Sequence, residues 1–144
     1  MKFISFNHDN SEKFGIIENN LITDLTGKID GASSLKELIK IKKIKEAKEY
    51  AKSNPSSINP DEIKYSPLIP NPGKIICVGL NYSEHVKETN RTVEENPVIF
   101  HRFPGSQTAH MQAIQRPTVS ESLDFEGEMA VITVSYTHLT LPTT

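Results

Sequence analysis

One cysteine, Cys77, leaves this 144-residue chain unable to close a disulfide within itself, which fits a reducing compartment. Long apolar runs are missing too. The longest strongly apolar stretch, "IICVGL", falls far short of the roughly 20 residues that span a bilayer. The opening "MKFISFNHDN" lacks the apolar centre of a signal peptide, so a cytoplasmic location with no membrane partner is expected. Charge of one sign is scarce: the formal net charge of −2 gives no electrostatic argument for nucleic acid. No internal repeat is visible. The triplets "NYS" and "NRT" match the glycosylation pattern but mean nothing without secretion. Cys77 lies inside the apolar run and reads as a small core residue, not a nucleophile. With 36% hydrophobic and 24% charged residues, what is present reads as a soluble globular protein.

The first 25 residues read as a small antiparallel meander. Lys2 to Phe6 leads to a turn at "NHDNSE", then "FGIIE", a turn at Asn19-Asn20, and "LITDL". One helix is expected from about Ser34 to Ser53. Ser34 and Glu37 form a capping-box pattern, and Leu35, Leu38, Ile39, Ile41 and Ile44 mark a broad apolar side. Its seven lysines are interleaved with Glu37, Glu46 and Glu49, which makes a solvated face and not a nucleic-acid patch. Ser53 to Lys74 is rich in Pro, Ser and Asn and reads as a connection. Across it the charge changes: residues 1–70 carry 11 Lys against 10 acids, and residues 71–144 carry 5 basic against 8 acidic side chains. A buried strand, Lys74 to Leu80, then precedes a short helix from Ser83 to about Thr89. "NPVIFHRF" is a further strand, "PGSQTAHMQAIQRP" a loop, and "SLDFEGEMAVI" a last strand.

In that last strand Asp124, Glu126 and Glu128 would share one face, because side chains alternate along a strand. The same face turns apolar at Ala130 and Ile132, as the floor of a cleft would. Carboxylates two residues apart supply hard oxygen ligands for Mg²⁺, Mn²⁺ or Ca²⁺. From spacing alone, an exposed acidic strand is the commoner explanation. His85 and Glu88, three apart on the short helix, either make a surface ion pair or an imidazole oriented as a general base. Arg102 is a permanent cation able to grip a carboxylate in two-point contact, or to neutralise the acidic strand. Ser106, Gln107 and His110 either bind substrate oxygens or close turns. His101 and His110 lack the spacing of a zinc site.

Three blocks in order, "PNPGKIICVGLNYSEHVKE", "NPVIFHRFPGSQ" and "RPTVSESLDFEGEMAVI", resemble the fumarylacetoacetate hydrolase family. The resemblance covers about Ile69 to Ile132, and the meander and helix before it resemble the family's variable N-terminal domain. It implies an α+β fold: a mixed β-roll of the fumarylacetoacetate hydrolase type, cut short, behind a small β-meander plus helix domain. It also implies a homodimer when full length and a divalent metal, Mg²⁺ or else Mn²⁺ or Ca²⁺. Glu126 and Glu128 fall on the family's Glu-x-Glu metal ligands. His85 and Glu88 fall on a water-activating dyad, and Arg102 falls near the substrate, with Ser106 and Gln107 as further substrate contacts. Asp124 flanks the ligands. "TAHMQ" departs from the family's more usual glycine-rich loop, and the third metal carboxylate belongs to a block that is not here. The expected domains are 1–66, 67–132 and a tail, 133–144. That tail, "VSYTHLTLPTT" from Val134 on, resembles a translated sequencing adapter and not family sequence.

The activity implied is metal-dependent hydrolysis of a carbon–carbon bond in an acylpyruvate-type β-diketo acid. His85 and Glu88 would activate the water, and the metal would stabilise the departing enolate. The alternatives are isomerisation or decarboxylation of a 2-oxo diacid, or a non-catalytic metal- or metabolite-binding module. By itself the chain is expected to be inactive, with a small oxo acid as the partner of the complete protein.

Overall fold

The computed structural model describes residues 1–54, 56–88, 96–123, 125 and 127–133, leaving aside the side chains of Ser83 and His85. Its N-terminal part is a four-stranded antiparallel sheet carrying two helices. Strands β1 (Lys2–His8), β2 (Ser11–Glu18) and β3 (Leu21–Asp24) follow one another as the expected meander. The second hairpin turns at Asn19-Asn20 as expected, and the first is tighter than the sequence suggested. Asp9-Asn10 and Asn19-Asn20 all have positive φ, the paired left-handed geometry whose twist matches that of the flanking strands. The first turn therefore takes two residues instead of six, and β1 and β2 are longer.

The sheet order is β3-β2-β1-β4, and β4 (Lys64–Ser66) comes from the stretch expected to be a connection. It pairs with β1 in the register Ser5↔Ser66, Phe6↔Tyr65 and Asn7↔Lys64. Proline, serine and asparagine dominate the composition of 53–74 and conceal this strand. Those residues punctuate it instead, since the Asn59 side chain accepts from the Asp61 backbone and the Glu62 carboxylate accepts from the Asn59 N–H. The segment is also stitched to β3 by an Ile22↔Ile58 bridge and a 2.7 Å hydrogen bond between the hydroxyls of Thr23 and Ser56.

The expected single helix is two, α1 (Leu35–Lys40) and α2 (Ile44–Ser53), broken at Lys42 with φ of 61°. On one helix Leu35, Leu38, Ile39, Ile41 and Ile44 would spread over an arc of about 220° at 100° per residue, too wide for one buried stripe. The break lets Ile39, Ile41 and Ile44 all pack on the core. Ser34 caps α1 by accepting from the Glu37 N–H at 3.3 Å, while the Glu37 carboxylate pairs with Lys40. The core joins Phe14 and Ile16 on one face of β2 to Leu25, Ile29, Ala32, Leu35, Leu38 and Ala47.

Asp24 closes the end of β3. Burial pushes its carboxyl up, but the Thr26 backbone N–H and hydroxyl together with Lys13 outweigh burial and hold it below the usual value. The N–H lies at 2.8 Å and the Lys13 ammonium at 3.0 Å. A carboxyl depressed on folding contributes stability above its unfolded pKa of 3.8 and loses it as pH falls through the folded value. Asp24→Asn should therefore lower the urea midpoint at about pH 7, and its gap from wild type should close by about pH 2. A gap of equal size at both pH values would count against this role.

The C-terminal part is thinner. Strands β5 (Ile75–Gly79) and β6 (Val98–Arg102) pair antiparallel from Ile75↔Arg102 to Gly79↔Val98. The buried strand expected at 74–80 is open to solvent, with Ile76 63% and Ile99 56% exposed. Two strands alone cannot cover both of their faces. The last strand expected at 122–132 does not form among the described residues. A strand exists only through its ladder, and none of those residues pairs with another strand.

Candidate functional site

The site starts where β5 ends. Leu80 follows Gly79 with φ of 56°, a left-handed conformation that costs a branched side chain about 1–2 kcal/mol. Strain of this kind collects at functional turns, and this turn leads into α3 (Ser83–Glu88). Val86 is buried and anchors the helix, and its N–H bonds to the Tyr82 carbonyl at 3.1 Å. The backbone thus puts His85 and Glu88 one turn apart, as the spacing implied. Glu88 is exposed, and the His85 side chain lies outside the described residues.

Of the metal-ligand candidates, Glu126 is outside the described residues, as is the flanking Asp124. Glu128 is described, and it meets the start of α3. The Glu128 carboxylate holds the Tyr82 phenol above its ordinary range, and the Met129 backbone pulls the other way. Sequence reading missed Tyr82. Its only signal was its place directly before α3.

Arg102 ends β6 opposite Ile75, with its guanidinium 5.6 Å from the centre of the Phe100 ring. Because α3 departs from the Gly79 end of the same hairpin, Arg102 lies roughly 13 Å along the strand from that departure, at about 3.3 Å per residue. Ser106 and Gln107 close turns. The Ser106 hydroxyl donates to the Phe103 carbonyl at 2.8 Å, and the Gln107 amide donates to the Pro104 and Ile69 carbonyls at 3.2 and 3.4 Å. His101 sets its edge against Phe103, and His110 sets its edge against Tyr65. Among the described residues, no group of three His, Cys, Asp or Glu side chains could hold a metal ion. Nor is any helix there long and apolar enough to cross a membrane.

Residues 74–138 match the model of the fumarylacetoacetate hydrolase C-terminal domain. That match runs past Thr133 into the segment expected to be foreign. The rat mitochondrial oxaloacetate tautomerase Fahd2a (Rattus norvegicus) is 39% identical over 71 residues, 49% of this chain and 23% of that protein. An uncharacterized protein of Methanocaldococcus jannaschii is 41% identical over 76 residues, 53% of this chain and 29% of that one. The chain thus spans between a fifth and a third of the length of the curated relatives it matches. A crystal structure described as an HpcE protein from Mycobacterium smegmatis superposes with a TM-score of 0.60 at 21% identity. It covers 81% of this chain and 41% of its own, and at that identity the likeness concerns the fold alone.

Proposed function

We propose, for a chain that belongs to the fumarylacetoacetate hydrolase family through residues 74–138, a proton-transfer enzyme acting on a small 2-oxo diacid. Tautomerisation is the reading put first, because relatives 35% to 39% identical are named oxaloacetate tautomerases. The observation that carries it is the spacing of His85 and Glu88, one turn apart on α3, with the Glu128 carboxylate acting on Tyr82 just before that helix. In this reading His85, oriented by Glu88, takes a proton from the carbon next to the keto group and returns it to oxygen. Arg102 holds a substrate carboxylate. Arg102 and the helix leave opposite ends of the hairpin, so the substrate would have to lie along it.

Mg²⁺, or else Mn²⁺ or Ca²⁺, is proposed at Glu126 and Glu128 from donor chemistry, two hard carboxylates at i and i+2. The described residues alone do not complete such a site. When bound, the cation would supply positive charge for the developing enolate. Glu128→Gln should weaken Mn²⁺ binding by about tenfold or more, read by calorimetry. An unchanged affinity would take Glu128 out of the ligand set.

Hydrolysis of an acylpyruvate is the second reading, favoured by the family resemblance of the His85–Glu88 pair. The whole protein is proposed to be a cytoplasmic homodimer with a mixed β-roll. The exposed apolar residues of β5 and β6 are consistent with an unfinished assembly. The test uses the longest product that carries this sequence, with oxaloacetate, an acylpyruvate panel and Mg²⁺. Faster loss of the oxaloacetate enol signal without release of carbon dioxide supports tautomerisation, and acylpyruvate cleavage supports hydrolysis. Inertness toward both, with cation demonstrably bound, would sink the enzyme reading.

A further inference from the structure

The loop after β6 does not hang free. From Arg102 the chain makes a 3-10 turn over Pro104–Ser106 and crosses to the N-terminal part. There Gln107 donates to the Ile69 carbonyl at 3.4 Å, and Gln112 donates to the Tyr65 carbonyl. The His110 ring stands edge-on to Tyr65, 5.0 Å between centroids at 81°. Ala109 is buried. These partners lie 38 to 47 residues away in sequence.

The receiving strip is itself fixed. Tyr65 pairs with Phe6 across β1 and β4, Ser5 donates to the Leu68 carbonyl at 2.7 Å, and Ile69 packs on the core. Met111, between the two residues that reach Tyr65, has φ of 61°. A non-glycine residue persists there only where its surroundings over-determine it. The Gln112 N–H closes the turn on the Ala109 carbonyl at 3.1 Å.

We propose that Gln107, His110 and Gln112 are positioning residues through which the N-terminal sheet holds the loop after Arg102 and so sets the substrate end of the site. The substrate part of this rests on the oxo-acid reading above. Simple packing between two parts of the chain would also bury Ala109. It would not need two side-chain amides aimed at carbonyls of one short strip, or a left-handed methionine between two of the contacts. Gln107 then acts by holding the loop rather than by touching substrate. The variable N-terminal part becomes a determinant of which oxo acid fits.

The test is amide hydrogen exchange on the full chain, comparing wild type with the double variant His110→Ala/Gln112→Ala. Exchange at residues 108–112 should rise by about tenfold or more while β1–β3 keep their protection. His110→Phe, which preserves an aromatic edge against Tyr65, should behave as wild type. In the oxo-acid assay, run on the longest product that carries this sequence, the double variant should raise KM several-fold at about constant kcat. Unchanged exchange at 108–112 overturns the proposal. So does equal acceleration in β1–β3, which would mean general destabilisation, and so does an unchanged KM beside a loosened loop. If the longest product that carries this sequence turns over no oxo acid, the reaction reading falls on its own account. The exchange comparison still decides whether the sheet holds the loop.

Discussion

Replacing His85 with alanine is expected to lower kcat on the 2-oxo acid by about 10² to 10⁴-fold, the span that a positioned general base contributes. The expectation comes from placement. His85 sits in a six-residue helix that leaves β5 through a left-handed Leu80, with Glu88 one turn on. On the reading proposed above, a carboxylate one turn away orients the imidazole for proton transfer. Glu88→Gln should accordingly cost less than His85→Ala, since it removes the orienting charge and leaves the base. Cation affinity should stay within about twofold of wild type in both variants, because neither residue belongs to the proposed ligand pair. Steady-state kinetics beside a Mn²⁺ titration read all of this. A His85→Ala protein with undiminished kcat would remove the residue from the chemistry, whatever became of the cation.

Local rules carried the sequence reading far in the N-terminal part and less far in the other. Asn-Asn and Asp-Asn dipeptides between alternating apolar residues specify hairpins by themselves, and Ser34 specifies its cap. The break at Lys42 was less visible. It follows from competition between one continuous helix and the burial of Ile41 and Ile44, and periodicity reports the competition only as a stripe that is too broad. Strand β4 was hidden for a related reason. Three residues carry little pattern, and Tyr65 matters because Phe6 and Ser5 stand ready across the ladder.

The candidate site depends still more on distant partners. Glu128 could be named from its spacing to Glu126, whereas its contact with Tyr82 spans 46 positions of sequence (128 − 82) that no local pattern encodes. Ser106 and Gln107 were open between substrate contact and turn closure. Both donate to carbonyls, and these bonds depend on Phe103, Pro104 and the distant Ile69, which no local pattern names.

Phe14→Ala should destabilise the chain by about 3–5 kcal/mol, toward the top of that range. The side chain is only 1% exposed and belongs to the main core cluster. What a large-to-small change costs depends on how far the surroundings can collapse into the hole, and here the backbone has little room. Strand β2 is central, laddered to β1 on one side and β3 on the other. Phe14 is tied at both of its own polar groups: its N–H donates to the Thr26 hydroxyl at 3.2 Å, and its carbonyl accepts from the Leu25 N–H at 2.9 Å. The next residue, Gly15, lies so close to β3 that a Cβ there would come within 2.3 Å of the Thr23 carbonyl oxygen. Backbone packed that tightly cannot slide inward to fill the ring's volume, so the cavity remains. A loss near the top of that range is about a third or more of the roughly 5–15 kcal/mol that a small domain possesses. The Phe14→Ala chain should therefore unfold at a much lower urea concentration than wild type, as urea titration followed by circular dichroism would show. Phe14→Leu refills most of the space and should cost roughly 1–2 kcal/mol. Equal urea midpoints for the alanine and leucine variants would mean that the sheet collapses after all, and that the rigidity inferred for β2 is wrong.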